Sequence, residues 1–476
     1  MHEINALFAW QLADKIRRQQ LSPVEVVEAH LRRIDELNPI LNAVVTLDSD
    51  ALAKAKEAET AVTRGDVLGP LHGVPLTIKD TIETKGLRTT SGSALRADFI
   101  PQHDAPSVGR LKAAGAIILG KTNTAEMAMD YTTDNPIFAR AVNPHNPLLS
   151  TGGSSGGEAA AIASCLSPGG IGSDLAGSIR IPSHFCGIAG LKPTVGRVPG
   201  GGQFPPSTGP YSLGAVIGPM ARSVSDLHLL FNALAGIETS SWAEAFEKRR
   251  ALMNKWRVSW YVDDGVSPVT EETKQAVKAA AAALADAGLI IEETRPPGIE
   301  HGHDLWLKLF SRASVVQLRD VYAGHEEKVG EFVRWRLATA DENPPPSLDD
   351  YISSWLERDQ LRMELIEWMD QTPLILAPVG ATPALPHDTH KVEVGGQRLS
   401  TFRAFSYSQT FNVFDLPVVV IPVGRSAEGL PIGVQVIGRP FAEETVLAAA
   451  AIIEQALSAH SKELTLSTDQ SSLKFI

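Results

Sequence analysis

Between residues 24 and 34 the apolar side chains Val24, Val27, Leu31 and Ile34 recur at helical spacing, with Arg32, Arg33 and Asp35 on the other face. Ser22-Pro23-Val24-Glu25 just before them reads as a capping box with proline at the first helical position, so the first forty residues are expected to be helical. Residues 42–47 (Asn-Ala-Val-Val-Thr-Leu) predict a strand, and 50–63 a solvated Ala/Glu/Lys helix. From residue 73 onward, β-branched runs at 74–78 and 116–119 alternate with Ala-rich helical stretches at 105–114 and 157–165. That alternation predicts an α/β layered sheet. Residues 193–220 are rich in Gly and Pro and read as loops. The stretch 240–370 reads as mostly helical and carries Trp242, Trp256, Trp260, Trp306, Trp335, Trp355 and Trp368. Strand character returns at 374–377 and 418–423, an Ala-rich helix closes at 443–459, and the polar tail beyond Thr465 is expected to be mobile. With no internal repeat, the pattern predicts one large α/β body with a helical insertion in its second half.

Composition narrows the class of partner. Apolar residues make up 43% of the 476 and charged residues 21%, which suits a packed globular chain and not a disordered one. The 55 acidic and 43 basic side chains give a net −12, against the dense basic face that a nucleic-acid binder needs. Two cysteines, Cys165 and Cys186, cannot build a disulfide scaffold or a four-thiolate zinc site. Neither has a basic sequence neighbour, so both read as core thiols in a reducing compartment. No basic start followed by an apolar run is visible, and no stretch reaches the roughly 18–20 apolar residues of a membrane helix. The expectation is a soluble, cytoplasmic protein.

Two short patterns mislead. Gly115-Ala-Ile-Ile-Leu-Gly-Lys-Thr122 fits a phosphate-binding loop letter for letter. Its middle residues, however, read as a buried strand, where the loop should follow one, so nucleotide binding is rejected. Gly152-Gly-Ser-Ser-Gly156 fits a nucleophile elbow, but Pro144 and Pro147 upstream exclude the strand that must feed it.

Residues 150–194 read STGGSSGGEAAAIASCLSPGGIGSDLAGSIRIPSHFCGIAGLKPT. A flexible linker is excluded, because buried-type runs (159–163, 179–182) interleave with the glycines. Glycine here suits unusual backbone angles or close approach to a ligand. This segment resembles the signature of the amidase signature family, approximately GGSSGG-x-AA, then D-x-GGS-I-R-x-P, then G-x-KPT. Gly73-Val-Pro-Leu-Thr-Ile-Lys79-Asp80 matches the family's lysine strand, and residues 123–144 match the stretch between the two. Asn412 to Pro417 and Gly429 to Gln435 also fit. The likeness covers nearly the whole chain and is thin only at about 240–370.

The resemblance implies a large twisted mixed β-sheet flanked by helices on both faces, in a single domain over 1–476. Its signature core would be about 72–195 and its variable, pocket-forming helical insertion about 240–370. It makes Ser178 the nucleophile, Ser154 the bridging serine after a cis peptide, and Lys79 the base. The backbone amides of Leu175, Ala176, Gly177 and Ser178 become the oxyanion donors. The family usually has glycine where this chain has Ala176; the donor survives, but a positive φ there would be strained. Asp174 and Arg180 are expected to brace the turn, and Ser155 either to support the bridging serine or to cap a helix. Ala128 and Met129 resemble pocket-lining positions. No metal or organic cofactor is implied.

The residue types suit the chemistry. A serine hydroxyl needs a base, and a lysine serves as one only when neutral, which burial favours. Lys79 follows an apolar run, whereas an isolated Lys-Asp pair is ordinarily on the surface. The expected activity is hydrolysis of a carbon–nitrogen bond in a small amide, or of a related carbamate or ester, through an acyl-enzyme on Ser178. The aromatic side chains Trp306, Phe310, Phe332, Trp335 and Trp355 suggest an apolar or aromatic substrate. The chain would act as a monomer or homodimer. The rival reading is the glutamine-hydrolysing subunit of a tRNA-dependent amidotransferase. Residues 400–414 contain no acidic side chain to meet glutamine's ammonium, which disfavours it. A catalytically dead binding protein is disfavoured because all three catalytic positions are filled.

Overall fold

In the computed structural model, which describes residues 3–238, 241–342 and 346–465, the capping box at Ser22 forms as expected. The Ser22 hydroxyl accepts from the Val24 N–H at 3.0 Å, and Glu25 accepts from the Ser22 N–H at 2.9 Å, starting the helix Pro23–Leu41. Next come β1 (Val44–Leu47) and the helix Ala51–Arg64. The β-branched runs become β2 (Pro75–Lys79) and β3 (Ile117–Thr122), and the Ala-rich stretches the helices Pro106–Ala113 and Gly156–Ala163. Then follow β4 (Gly169–Asp174), β5 (Ala189–Lys192), β6 (Val216–Ala221), β7 (Arg257–Trp260), β8 (Ile290–Glu293) and β9 (Leu374–Pro378). A separate hairpin pairs β10 (Lys391–Val394) with β11 (Gln397–Ser400), before β12 (Val418–Arg425), β13 (Pro431–Gly438) and the helix Glu443–Thr465.

The strand order in the main sheet is β1-β3-β2-β4-β6-β5-β12-β13-β9-β7-β8. β2 runs parallel to β3 and β4, and β7 parallel to β8 and β9; the remaining pairs are antiparallel. Two-residue periodicity sorts the central side chains to opposite faces. Leu374, Leu376, Val419, Ile421, Val434 and Val436 pack with the helices Val224–Ala235, Glu271–Asp286 and Glu443–Thr465. Ile375, Ala377, Val418, Val420 and Ile437 pack with Phe405, Tyr407 and Phe411 on the other side. The sheet is buried on both faces, which is why these strands read as continuous apolar runs.

Three expectations change. Residues 216–221 are not loop but a central strand, fully buried between β4 and β5. Gly218 and Pro219 hid it, since proline is rare in a central strand. The stretch 240–370 is not helical throughout: β7 and β8 extend the main sheet, and only the helices from Gly302 to Trp368 stand outside it. Both strands have only four residues, too few to show a period. Cys165, thought to lack a basic neighbour, has the Arg222 guanidinium against its sulfur. The pattern at 115–122 is strand, as expected, and Lys121 is buried with its ammonium on the Ile82 carbonyl. The tail beyond Thr465 lies outside the described residues.

A Cβ at Gly218 would stand 2.1 Å from the Leu191 carbonyl oxygen on β5, backbone that cannot retreat. Gly218→Ala should therefore cost about 1–3 kcal/mol, as overpacking does. Thermal denaturation followed by circular dichroism should show a lowered midpoint; an unchanged midpoint would mean the sheet gives way there.

Candidate active site

The C-terminal ends of the parallel strands β2 and β4 meet at one place, where ligands bind in open α/β sheets. Lys79 is the last residue of β2, and Ser173 and Asp174 end β4. Lys79 is fully buried, with Nζ 2.6 Å from Ser154 Oγ and 3.0 Å from Ser173 Oγ. The Gly153–Ser154 peptide is cis. Burial pulls the Lys79 pKa down to about 7, although Asp174 and Glu158 act to raise it. Glu158 accepts from the Thr77 hydroxyl at 2.5 Å and the Thr122 hydroxyl at 2.7 Å, and burial pushes its own pKa up to about 7. Asp80 is also buried and accepts from the Thr90 N–H at 3.0 Å, so Lys79-Asp80 is not a surface pair.

After β4 the chain turns through residues 175–179 into the helix Arg180–Cys186. Asp174 organises this turn. Its carboxylate accepts from the Gly177 N–H at 2.9 Å and the Ile179 N–H at 3.0 Å. Arg180 adds two bonds, from Nη2 at 2.8 Å and Nε at 3.0 Å, and both side chains are wholly buried. Burial alone would raise the Asp174 pKa; Arg180 overcomes this and holds it below the carboxylate range. Asn412 and Gln435 accept two further guanidinium protons, at 2.5 and 2.9 Å. Gly177 has φ +114°, and a Cβ there would meet Ser408 Cβ at 2.7 Å, so only glycine fits. Ala176 has no positive φ, and alanine is accommodated without strain.

The peptides of the turn are oriented by their carbonyls, because C=O and N–H point oppositely in a trans unit. Trp306 Nε1 donates to the Leu175 carbonyl at 3.0 Å, and the Tyr131 hydroxyl to the Ala176 carbonyl at 2.7 Å. The Gly177 N–H is therefore committed to Asp174, whereas the amides of Leu175, Ala176 and Ser178 have no acceptor among the described residues. The Ser178 hydroxyl lines a cavity, and no hydrogen bond joins it to Ser154. Its carbonyl accepts from the Ser155 N–H at 3.2 Å, which ties the two serine segments together. Ser155 makes no side-chain cap; its hydroxyl donates to the Ser173 carbonyl at 3.4 Å.

Ala128 and Met129 line the same cavity, as do Trp306 and Phe310. Phe332, Trp335 and Trp355 do not line it: Trp335 is 57% exposed and lies tilted against Phe332, and Trp355 packs edge-on against Phe310. Sequence reasoning missed Asp130, Tyr131, Tyr211, Arg336 and Phe402 on the wall. Tyr131 and Trp306 stack on Phe402 with centroids 4.5 and 5.9 Å apart.

A family model described as Amidase matches residues 25–447. The chain belongs to the amidase signature family. It is 32% identical to a glutamyl-tRNA(Gln) amidotransferase subunit from Geotalea daltonii, over 98% of this chain and 100% of that one. It is 31% identical to human fatty-acid amide hydrolase 2, over 94% of this chain and 88% of that one. A solved bacterial aryl acylamidase of the amidase signature family superposes with TM-score 0.83 at 26% identity, covering 98% of this chain and 99% of that one. As a family member the chain is a hydrolase of carbon–nitrogen bonds.

Ser173 also escaped sequence reasoning, although it stands one residue before the signature aspartate Asp174. No local signal marked Arg336, which reaches the amidase cavity from the helix Glu331–Glu342. Asn412 and Gln435 lie inside family motifs, but their pairing with Arg180 is visible only in three dimensions.

Asp174→Asn should leave the buried Arg180 guanidinium uncompensated, a loss of about 3–5 kcal/mol. Urea denaturation should report it as a lower midpoint. Wild-type stability in this variant would show that Asn412 and Gln435 suffice for Arg180.

Proposed function

We propose that the chain is a free-standing amidase in which Ser178 attacks the amide carbonyl, Ser154 relays protons and Lys79 is the base. The observation that carries this reading is Lys79: fully buried, 2.6 Å from Ser154 Oγ, with a pKa drawn down to about 7. Lysine at that pKa is part neutral near pH 7 and has a lone pair to accept a proton. Ser178 Oγ forms the new C–O bond while its proton passes through Ser154 to Lys79. The oxyanion is met by the amides of Leu175, Ala176 and Ser178, each such donor being worth on the order of 3–4 kcal/mol. The C–N bond then breaks as the same proton returns through Ser154 to the leaving amine. Water releases the acyl group by the reverse relay.

The cavity supports a small amide with an apolar or aromatic body: Trp306, Phe310, Tyr131 and Phe402 supply rings on its wall. Carbamates and activated esters present the same carbonyl. Hydrolysis needs no partner chain in this reading, which suits a monomer or homodimer in the cytoplasm. The second reading is a glutamine-hydrolysing component of an amidotransferase, and the 32% full-length identity to such a protein favours it. Asp130 and Arg336 on the cavity wall also supply charges that residues 400–414 alone do not. The aromatic wall favours the first.

Ser178→Ala should abolish amide hydrolysis, and Lys79→Ala should nearly do so in a folded protein. In the wild type, kcat/KM should rise with pH through about 7 and level off above it, because deprotonation produces the competent neutral amine. The midpoint belongs to the coupled Lys79–Glu158 site as a whole. A flat profile across that range, or near-normal activity in Lys79→Ala, contradicts Lys79 as base.

Specificity constants for an anilide and for glutamine on the purified chain decide between the two readings. The amidase reading expects the anilide to be cleaved at least as well as glutamine without any partner. A clear preference for glutamine promotes the second reading.

A further inference from the structure

The three amides free to meet an oxyanion are not aimed by the same kind of group. A trans peptide points its N–H opposite its C=O, so whatever holds a carbonyl sets the direction of the next residue's N–H. The Ser178 N–H belongs with the Gly177 carbonyl, which accepts from the Ile181 N–H at 2.7 Å. The Leu175 N–H belongs with the Asp174 carbonyl, which Asn412 Nδ2 reaches at 3.4 Å. Ile181 and Asn412 both lie in the stretches that resemble the family's motifs. The Ala176 N–H belongs with the Leu175 carbonyl, whose donor is Trp306 Nε1 at 3.0 Å. Trp306 stands outside those motifs, in the stretch where the likeness is thin.

The indole is itself firmly placed. It is 4% exposed and stacks on Phe402 with centroids 5.9 Å apart. Its short helix, Gly302–Trp306, sits flush on the helix Ser406–Val413: a Cβ at Gly302 would stand 2.9 Å from Thr410 Cα. One turn earlier on the same helix, His303 Nδ1 meets Gln409 Oε1 at 2.7 Å. Gln409 Nε2 donates to the Phe402 carbonyl at 2.8 Å, which fixes the ends of its amide and makes His303 the donor. Gln409 Nε2 also donates to the Tyr131 hydroxyl at 2.9 Å, and that hydroxyl to the Ala176 carbonyl. Two successive carbonyls of the turn are thus held from one helix, the first directly and the second through Gln409 and Tyr131.

We propose that Trp306 is a positioning residue for catalysis: its N–H, acting through the Leu175 carbonyl, aims the Ala176 amide at the oxyanion. Trp306 also lines the cavity, so one side chain bears on both the shape of the site and its reactivity. Without the indole N–H the Leu175–Ala176 peptide is free to rotate, and the Ala176 donor leaves the place where charge develops. Transition-state binding then suffers more than substrate binding. The inference rests on the amidase reading and adds to it a residue that acts at one remove.

Ring size separates this role from packing alone. Trp306→Phe keeps the larger ring and loses the donor. Trp306→His has the smaller ring, but its Nε2–H overlays the indole N–H. Positioning predicts that kcat for acetanilide falls in the order wild type, Trp306→His, Trp306→Phe. The last should be down about tenfold or more, with KM moving less than kcat. A kcat for Trp306→Phe equal to or above that of Trp306→His, or a loss confined to KM, overturns the proposal. Benzyl trifluoromethyl ketone takes the Ser178 oxygen on its carbonyl carbon and gathers the negative charge on its own oxygen. A crystal structure of the wild-type adduct should place the Ala176 nitrogen within hydrogen-bond reach of that oxygen. An Ala176 N–H turned away overturns the proposal even if neither variant folds. A wild type that neither cleaves acetanilide nor takes up the ketone counts against the amidase reading alone. Crystal structures of the wild type and Trp306→Phe then decide: a rotated Leu175–Ala176 peptide in the variant supports the positioning role, and an unmoved one overturns it.

Discussion

Asp174 and Arg180 face each other away from all water, and neither could remain charged there by itself. Their pairing sets the rest of the site. Both Asp174 oxygens are filled by the turn's own amides and by the guanidinium, so the turn cannot rotate without breaking several bonds at once. The three amides without acceptors are consequently held in place before any substrate arrives, as their proposed role as oxyanion donors requires. Asn412 and Gln435 complete the guanidinium and connect this local device to the last strands of the sheet.

Asp174 also acts on Lys79. Its carboxylate acts to raise the Lys79 pKa, more than Glu158 does. Glu158, the other acid nearby, is itself drawn toward neutrality by burial, against the pull of its two threonine donors. Desolvation is then the largest influence left on Lys79, and it acts to expel the proton. A lysine beside two acids can thus still be part neutral near pH 7, because burial outweighs both of them.

Legibility in the sequence followed the range of the interactions. Lys79, Ser154, Ser178, Asp174 and Arg180 sit in unbroken local motifs, because strand ends and tight turns constrain adjacent residues. The buried strands with β-branched runs were equally plain. β6 was not, since Gly218 makes room for the β5 backbone, and a close approach of that kind leaves no apolar pattern. Tyr211, Arg336 and Phe402 were invisible for a different reason. Each comes from a separate segment, on a turn or helix whose spacing serves its own packing, and only the third dimension brings them to one wall. The tryptophans misled in the same way: abundance in 240–370 said nothing of which rings turn inward.

The contacts of Arg180 with residues 232 and 255 positions later also bear on how the protein is made. A chain synthesised from its N-terminus presents Lys79, Ser154 and Ser178 to the cell well before β13 leaves the ribosome. During that interval the guanidinium lacks two of its acceptors, and the interior that will enclose it does not yet exist. The guanidinium therefore has its full set of partners only once the final strands dock.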